Sequence, residues 1–260
     1  MSDSPLLLGR EGAVATLTLN RPGTRNALNR ELVLALSGAL KDVAGDPQVR
    51  AVVLTGSGKS FCSGADLRSG MSEVADLAWD VRIDEFHSMI HAIVRAPKPF
   101  VAAVDGAAVG FGADLALACD LRVLSSDGYL QEKFVKIGLM PDGGGTFWMP
   151  RLVGLGRAFE YLMLGTKIDA PLALELGLAN RVVTPEELLP NAGALAQELA
   201  KGPPLALRAI KDAVRESFRG TVEDALAREK QGQIALLNSK DMLEGVMAWA
   251  QRREPEFKGE

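Results

Sequence analysis

Short apolar runs and helical stripes take turns along roughly the first 190 residues, and that alternation leaves few folds open. Residues 14–20 read VATLTLN, apolar at alternate positions, and RPGTRNALN follows as a turn and a helix start. The helix is predicted over 29–44, where Leu32, Leu36, Ala39, Leu40 and Val43 fall on one stripe. After a Gly-Asp-Pro turn, residues 50–56 (RAVVLTG) form a near-continuous apolar run, as expected of a strand buried on both faces. Residues 100–105 (FVAAVD) repeat that signal, the small-residue stretch 106–120 reads as a helix, and 121–124 resumes as a strand. Strands separated by helices imply parallel pairing with crossover connections and a buried sheet. From Leu188 onward the pattern is helical only, with segments predicted over 194–200, 204–219, 222–238 and 241–251. The chain therefore divides into a β/α body over 1–190 and a helical arm over 191–260, the latter too short for a convincing core of its own.

A length of 260 residues allows one large domain or two small ones, and 47% apolar with 24% charged residues is ordinary globular composition. The net charge is −4 and lysines and arginines never run beyond two, so a nucleic-acid footprint is missing. Cys62 and Cys119 belong to no CxxC or Cys/His cluster, which argues against a disulfide framework or structural zinc and fits a reducing cytoplasm. The first residues lack the basic and long apolar regions of a secretion signal, and no apolar run reaches the roughly 18 residues of a membrane span. The expectation is a cytoplasmic protein with no membrane partner.

The glycine-rich segments admit several chemistries, most of which fail on spacing. Residues 55–60 (TGSGKS) resemble a phosphate loop, but Val53 stands where its first glycine is required. Residues 110–115 (GFGADL) supply G-x-G but place Leu115 at the third glycine of a dinucleotide fingerprint. Ser60 and Ser63 lack the flanking glycines of a serine-hydrolase elbow. His87 and His91 have metal-ligand spacing but no accompanying acid arrangement, and read as a partly exposed helix face. The turns at 63–67 (SGADL) and 109–113 (VGFGA) remain. Their small residues would let a ligand approach backbone N–H groups, and two such donors make an oxyanion hole worth about 3–4 kcal/mol per donor. The alternative, glycines that only pack helix against sheet, stays open on these segments alone.

The ordered segments LTLNRPGTRNALN at 17–29, VVLTGSGKSFCSGADL at 52–67, PKPFVAAVDGAAVGFGADLALACDLRV at 97–123 and KIGLMPDGGGTFWMPRLVG at 136–154 resemble the crotonase, or enoyl-CoA hydratase/isomerase, superfamily. ALELGLANRVV at 173–183 and EGVMAWAQRREPEFKG at 244–259 extend the resemblance over essentially the whole chain. It implies an α/β fold, a spiral of ββα units followed by a helical trimerisation region, with homotrimers often paired into hexamers, and an acyl-CoA thioester as ligand. By the match, the backbone N–H groups of Ala65 and Phe111 hold the thioester oxygen. Arg25, Ala27, Leu28, Ala65, Asp66 and Leu67 contact CoA, while Phe257 and Lys258 reach the CoA of their own or a neighbouring subunit. Residues 71–84, with Trp79, fall on a variable wall of the acyl pocket, to which Phe134 and Trp148 also belong.

Hydratases of this family use two glutamates. At those positions this chain has Asp114 and Phe134, and phenylalanine transfers no proton. Glu132 would share a face with Phe134 in extended backbone, but a solvated surface glutamate is the default. Moving a double bond needs one carboxylate and an oxyanion hole. Asp142, in MPDGGGT, sits where phenylacetate-pathway and dienoyl-CoA isomerases carry an aspartate, and the phenylacetate type also resembles this chain in its phenylalanine at 134. Against catalysis, Asp142 also reads as a helix N-cap, which would lower its pKa, and Asp114 reads about equally as a cap or helix-dipole partner. The favoured expectation is an enoyl-CoA isomerase with Asp142 as proton shuttle and Asp114 assisting. A hydratase using Asp114 and a non-catalytic acyl-CoA-binding protein are the alternatives. Neither metal nor redox cofactor is implied, CoA entering with the substrate.

Overall fold

The computed structural model describes residues 4–68 and 78–260. The chain opens with an antiparallel hairpin of β1 (Leu6–Glu11) and β2 (Val14–Leu19). Asn29 caps α1 (Arg30–Gly45) by accepting from the Leu32 N–H, within one residue of the predicted start. Then come β3 (Ala51–Gly56), β4 (Ser60–Cys62), α2 (Trp79–Arg95) and β5 (Phe100–Val104).

The predicted helix over 106–120 is corrected here. The chain first forms β6 (Ala107–Val109), and only then α3 (Phe111–Ala118). Gly110 makes the change of direction at φ +55° and ψ −128°, a conformation open to glycine. Small residues at 107–109 carry no strand signal of their own; what makes them a strand is pairing with β4 and with β8 (Tyr129–Gln131), which follows β7 (Leu121–Ser125). Beyond lie α4 (Gly145–Val153), α5 (Leu155–Leu164), β9 (Ile168–Asp169), α6 (Ala170–Glu175), β10 (Arg181–Val183) and α7 (Pro185–Lys201). The chain ends with α8 (Pro204–Glu216), α9 (Val222–Leu237) and α10 (Lys240–Gln251).

Among the described residues the strands form two sheets, ordered β1-β2-β3-β5-β7-β10 and β4-β6-β8-β9. From β2 to β10 the first is parallel, as the alternation demands. Each turn of the spiral gives one strand to each sheet and then a helix: β3, β4, α2; β5, β6, α3; β7, β8, α4. That is the expected ββα repeat. A core cluster lies between the sheets and α1, α2 and α3, with Leu17, Leu36, Leu54, Phe61, Phe100, Phe111 and Leu115 buried in it.

The outer face of the large sheet is covered by α7. Leu188, Ala192, Leu195, Ala196 and Ala200 pack on Val53, Val101, Ala103 and Val123. The expected division at 190/191 therefore falls inside a helix that belongs to the body. Its start at Pro185 is set by a capping box between Thr184 and Glu187. Beyond it, α8–α10 leave Ile210, Val214, Phe218, Leu226, Ile234 and Leu237 exposed in the single chain. Asp120 ties this arm to the sheet, accepting from the Phe100 N–H, Lys211 Nζ and Arg215 Nη2 at 2.7–2.8 Å. No helix among the described residues is long and apolar enough to cross a membrane.

Candidate active site

Two turns meet where β2 and β3 end. After the 3-10 turn Pro22–Thr24, Arg25 and Asn26 take left-handed φ values of 55° and 56°. Fully buried Asn26 holds that shape, accepting from the Arg21 N–H and donating Nδ2 to the carbonyls of Ser57 and Ser60. The sequence reading passed over it, although asparagine is the residue type most at home in that region. Leu28 then pairs with Ala65: the Leu28 N–H donates to Gly64 O at 2.8 Å and the Asp66 N–H to Leu28 O at 3.0 Å. Asp66 also bridges to Arg21 at 3.0 Å. Arg25, Ala27, Leu28, Ala65, Asp66 and Leu67 are thus one contiguous surface, with the Leu67 side chain exposed.

The same bridge leaves the Ala65 N–H outside the paired groups. Phe111, as the first residue of α3, has an N–H with no intrahelical acceptor. Gly64, at φ +89°, brings the two together: a Cβ there would stand 2.7 Å from Val109 O and 3.6 Å from the Phe111 N. Gly112 is packed on Cys62 so closely that any Cβ would collide with that residue's carbonyl oxygen. The Phe111 ring is buried edge-on against Phe86, 4.8 Å between centroids, so it fills the core and not the space beside the two N–H groups.

Behind these donors lie three carboxyl groups. Asp114, in the first turn of α3, is fully buried; its Oδ2 accepts from the Gly143 N–H at 3.0 Å and its Oδ1 has no partner among the described residues. Glu132 is 3% exposed, and neither of its carboxyl oxygens has a partner among the described residues. The expectation of a solvated Glu132 is overturned. The readable signal was the alternation at the end of β8, where Leu130 and Glu132 are buried between less buried neighbours. Asp114 Oδ1 and Glu132 Oε1 each lie 3.0 Å from the place a Cβ on Gly145 would take, so glycine makes room for both. Phe134 is buried in the turn Phe134–Ile137, its ring edge facing Gly110, and puts no acid at that position.

Asp142 is half-buried, and its Oδ1 has no partner among the described residues. It does not cap α4, whose N-cap is Gly144 at φ +104° without a side-chain bond. Its main chain is pinned by His87, whose Nε2 lies 2.8 Å from the Asp142 carbonyl oxygen. Trp148 follows, half-buried, its Nε1 without a partner among the described residues and close behind Gly144. Trp79 is exposed at the start of α2 beneath the Arg82 guanidinium, and residues 71–77 of the expected pocket wall lie outside the described residues. Phe257 and Lys258 sit elsewhere in the single chain. The Phe257 carbonyl accepts from Arg50 at the opposite end of β3, and the Lys258 N–H donates to Asp241.

Burial shifts all three acids upward. Desolvation is the main cause throughout: it carries Asp114 to about 8, helped by Asp142; it holds Glu132 well above its ordinary value, helped by Asp114 and Asp142; and it raises Asp142, against His87. Asp142 is the least buried of the three, and so the one whose ionised form burial penalises least. A raised folded pKa means that the unfolded chain gives up its proton first. Stability from Asp114 is thus fully present below about pH 4 and drains away as pH rises towards 8. Asp114→Asn is expected to raise Tm by several degrees at pH 8 and to leave it nearly unchanged at about pH 4, read by calorimetry.

A family model described as Enoyl-CoA hydratase/isomerase matches residues 9–260. A probable enoyl-CoA hydratase of Rhodobacter capsulatus is 40% identical over 246 residues, covering 95% of each chain. The 1,2-epoxyphenylacetyl-CoA isomerase of Escherichia coli is 36% identical over 252 residues, covering 96% of each. A crystal structure of an enoyl-CoA hydratase from Polaromonas superposes with a TM-score of 0.91 at 35% identity, over 97% of this chain and 99% of that one.

Proposed function

Because the chain belongs to the enoyl-CoA hydratase/isomerase family, we propose that it shifts the carbon–carbon double bond of an enoyl-CoA, with Asp142 carrying the proton. The Asp142 carboxylate takes a proton from C2 of a 3-enoyl thioester, and the electron pair moves onto the thioester oxygen. The N–H groups of Ala65 and Phe111 receive that charge. Asp142 then returns the proton to C4, which leaves the double bond between C2 and C3 with no atom gained or lost. The observation that carries this reading is the contrast between Asp142, a half-buried acid with an oxygen that has no partner among the described residues, and position 134, where a buried ring replaces any acid. Proton transfer beside a thioester needs no metal or redox group. The contiguous turns at 25–28 and 63–67 are assigned to CoA. Phe257 and Lys258, remote from those turns in their own chain, are assigned to the CoA of a neighbouring subunit, joined through the exposed faces of α8–α10.

Glu132 supports a second reading. With Asp114 it supplies two buried carboxyl groups, enough for one to position water and the other to protonate carbon, as in hydration. Supplying 3-enoyl-CoA and 2-enoyl-CoA separately decides between them. Isomerisation of the first faster than hydration of the second is expected. Faster hydration, abolished in Glu132→Gln, favours the second reading, and tight acyl-CoA binding with neither reaction favours a binding protein without chemistry.

A further inference from the structure

We propose that His87 is a positioning residue for Asp142, holding that residue's main chain so that its carboxylate meets the substrate carbon. The inference rests on the isomerase reading of Asp142. The bond runs from Nε2 to a carbonyl oxygen, so Nε2 carries the hydrogen and donates it across 2.8 Å. The segment it grips precedes three consecutive glycines, Gly143–Gly145, and has little rigidity of its own. Two anchors compensate. Asp114 accepts from the Gly143 N–H on one side of the peptide unit, and His87 donates to Asp142 O on the other. Both use main-chain atoms, which leaves the Asp142 carboxyl uncommitted at Oδ1 among the described residues.

The ring comes from α2, which packs against α1 and α3, so the anchor is built on a rigid element. Asp142, with Asp114 and Glu132 behind it, faces His87 from the other elements; His91, Asp84 and Arg95 share its helix, and the two imidazoles are 6.3 Å apart. The ring also lowers the pKa of Asp142 electrostatically, against the effect of burial. The histidine pair that the sequence offers as a bland surface face is thus half inside the site.

The test is steady-state isomerisation from about pH 5 to 9 in His87→Ala, His87→Gln and Asp142→Asn. The glutamine amide nitrogen replaces Nε2 as a donor without its charge. His87→Ala is expected to lower kcat about tenfold or more with KM near wild type, and His87→Gln to recover most of the loss. In both, the acidic limb moves to higher pH, a shift that a purely structural role would not produce. An undiminished kcat in His87→Ala, or an acidic limb that stays in place in both variants, overturns the proposal. Should His87→Ala fail to fold, the limb of His87→Gln decides alone. Isomerisation surviving in Asp142→Asn overturns the reading of Asp142 itself; its loss there, beside wild-type behaviour in His87→Ala, overturns only the role of His87.

Discussion

Asp142→Asn is expected to lose about 10²- to 10⁴-fold in kcat for isomerisation while binding acyl-CoA almost as tightly as the native chain. The amide keeps the size and most of the hydrogen bonding of the carboxyl group, so a loss of that order reports proton transfer and not packing. Three features set the magnitude. The carboxyl group has an oxygen with no partner among the described residues, burial raises its pKa above the ordinary carboxylate value, and the turn of Phe134 offers no second acid. In the native protein the acidic limb of the rate profile then marks ionisation of Asp142, above the ordinary carboxylate value. The alkaline limb falls near 8, where Asp114 ionises and adds a second negative charge beside the developing enolate. Stopped-flow or steady-state rates on 3-enoyl-CoA read both limbs, and Asp114→Asn should remove the alkaline one. Undiminished isomerisation in Asp142→Asn would leave the single-acid mechanism without its acid.

The second large effect concerns a residue with no chemistry at all. Gly112→Ala would drive a methyl group into the Cys62 carbonyl, a backbone atom of β4 that has no rotamer to escape into. The N-terminus of α3 must then back away from β4, carrying the Phe111 N–H with it. The expected cost is about 3 kcal/mol or more in stability, together with a loss of at least about 10²-fold in kcat, the value of one misplaced oxyanion donor. Gly193, inside α7, is the control: a Cβ there meets nothing within 4 Å, and Gly193→Ala should add about 0.5–1 kcal/mol through helix propensity. Urea unfolding and isomerase rates on the two variants check both parts. If Gly112→Ala folds and turns over like the native chain, the close contact between the two turns does not organise the site.

The body of the fold was legible because buried strands write themselves as apolar runs: β3 and β5 bury every residue of theirs except the final Gly56. The second sheet was far less visible. Its strands are two or three residues long, and β6 is Ala-Ala-Val within a small-residue stretch that reads as helix. Pairing with neighbours, which no local window contains, makes it a strand. Similarly, α7 looked like the start of an arm because its stripe is helical, yet the face it covers belongs to β3, β5 and β7.

At the site, the resemblance located the turns at 25–28 and 63–67 and the N–H of Phe111, which the fold brings together. It drew attention to position 134, however, and so away from Glu132, whose burial depends on the register at the end of β8. His87 was beyond reach in the same way. It stands 55 positions before the carbonyl it holds, and only the packing of α2 beside the Asp142 segment brings them together.

The most direct measurement is a crystal structure with an unreactive acyl-CoA in place. The thioester oxygen should lie about 3 Å from the N–H nitrogens of both Ala65 and Phe111. The Asp142 carboxylate should then be within about 3–3.5 Å of both C2 and C4, with Asp114 and Glu132 further from either carbon. If Asp142 instead turns away from the chain while Asp114 and Glu132 clasp a water molecule over C3, isomerisation by Asp142 is contradicted and hydration takes its place.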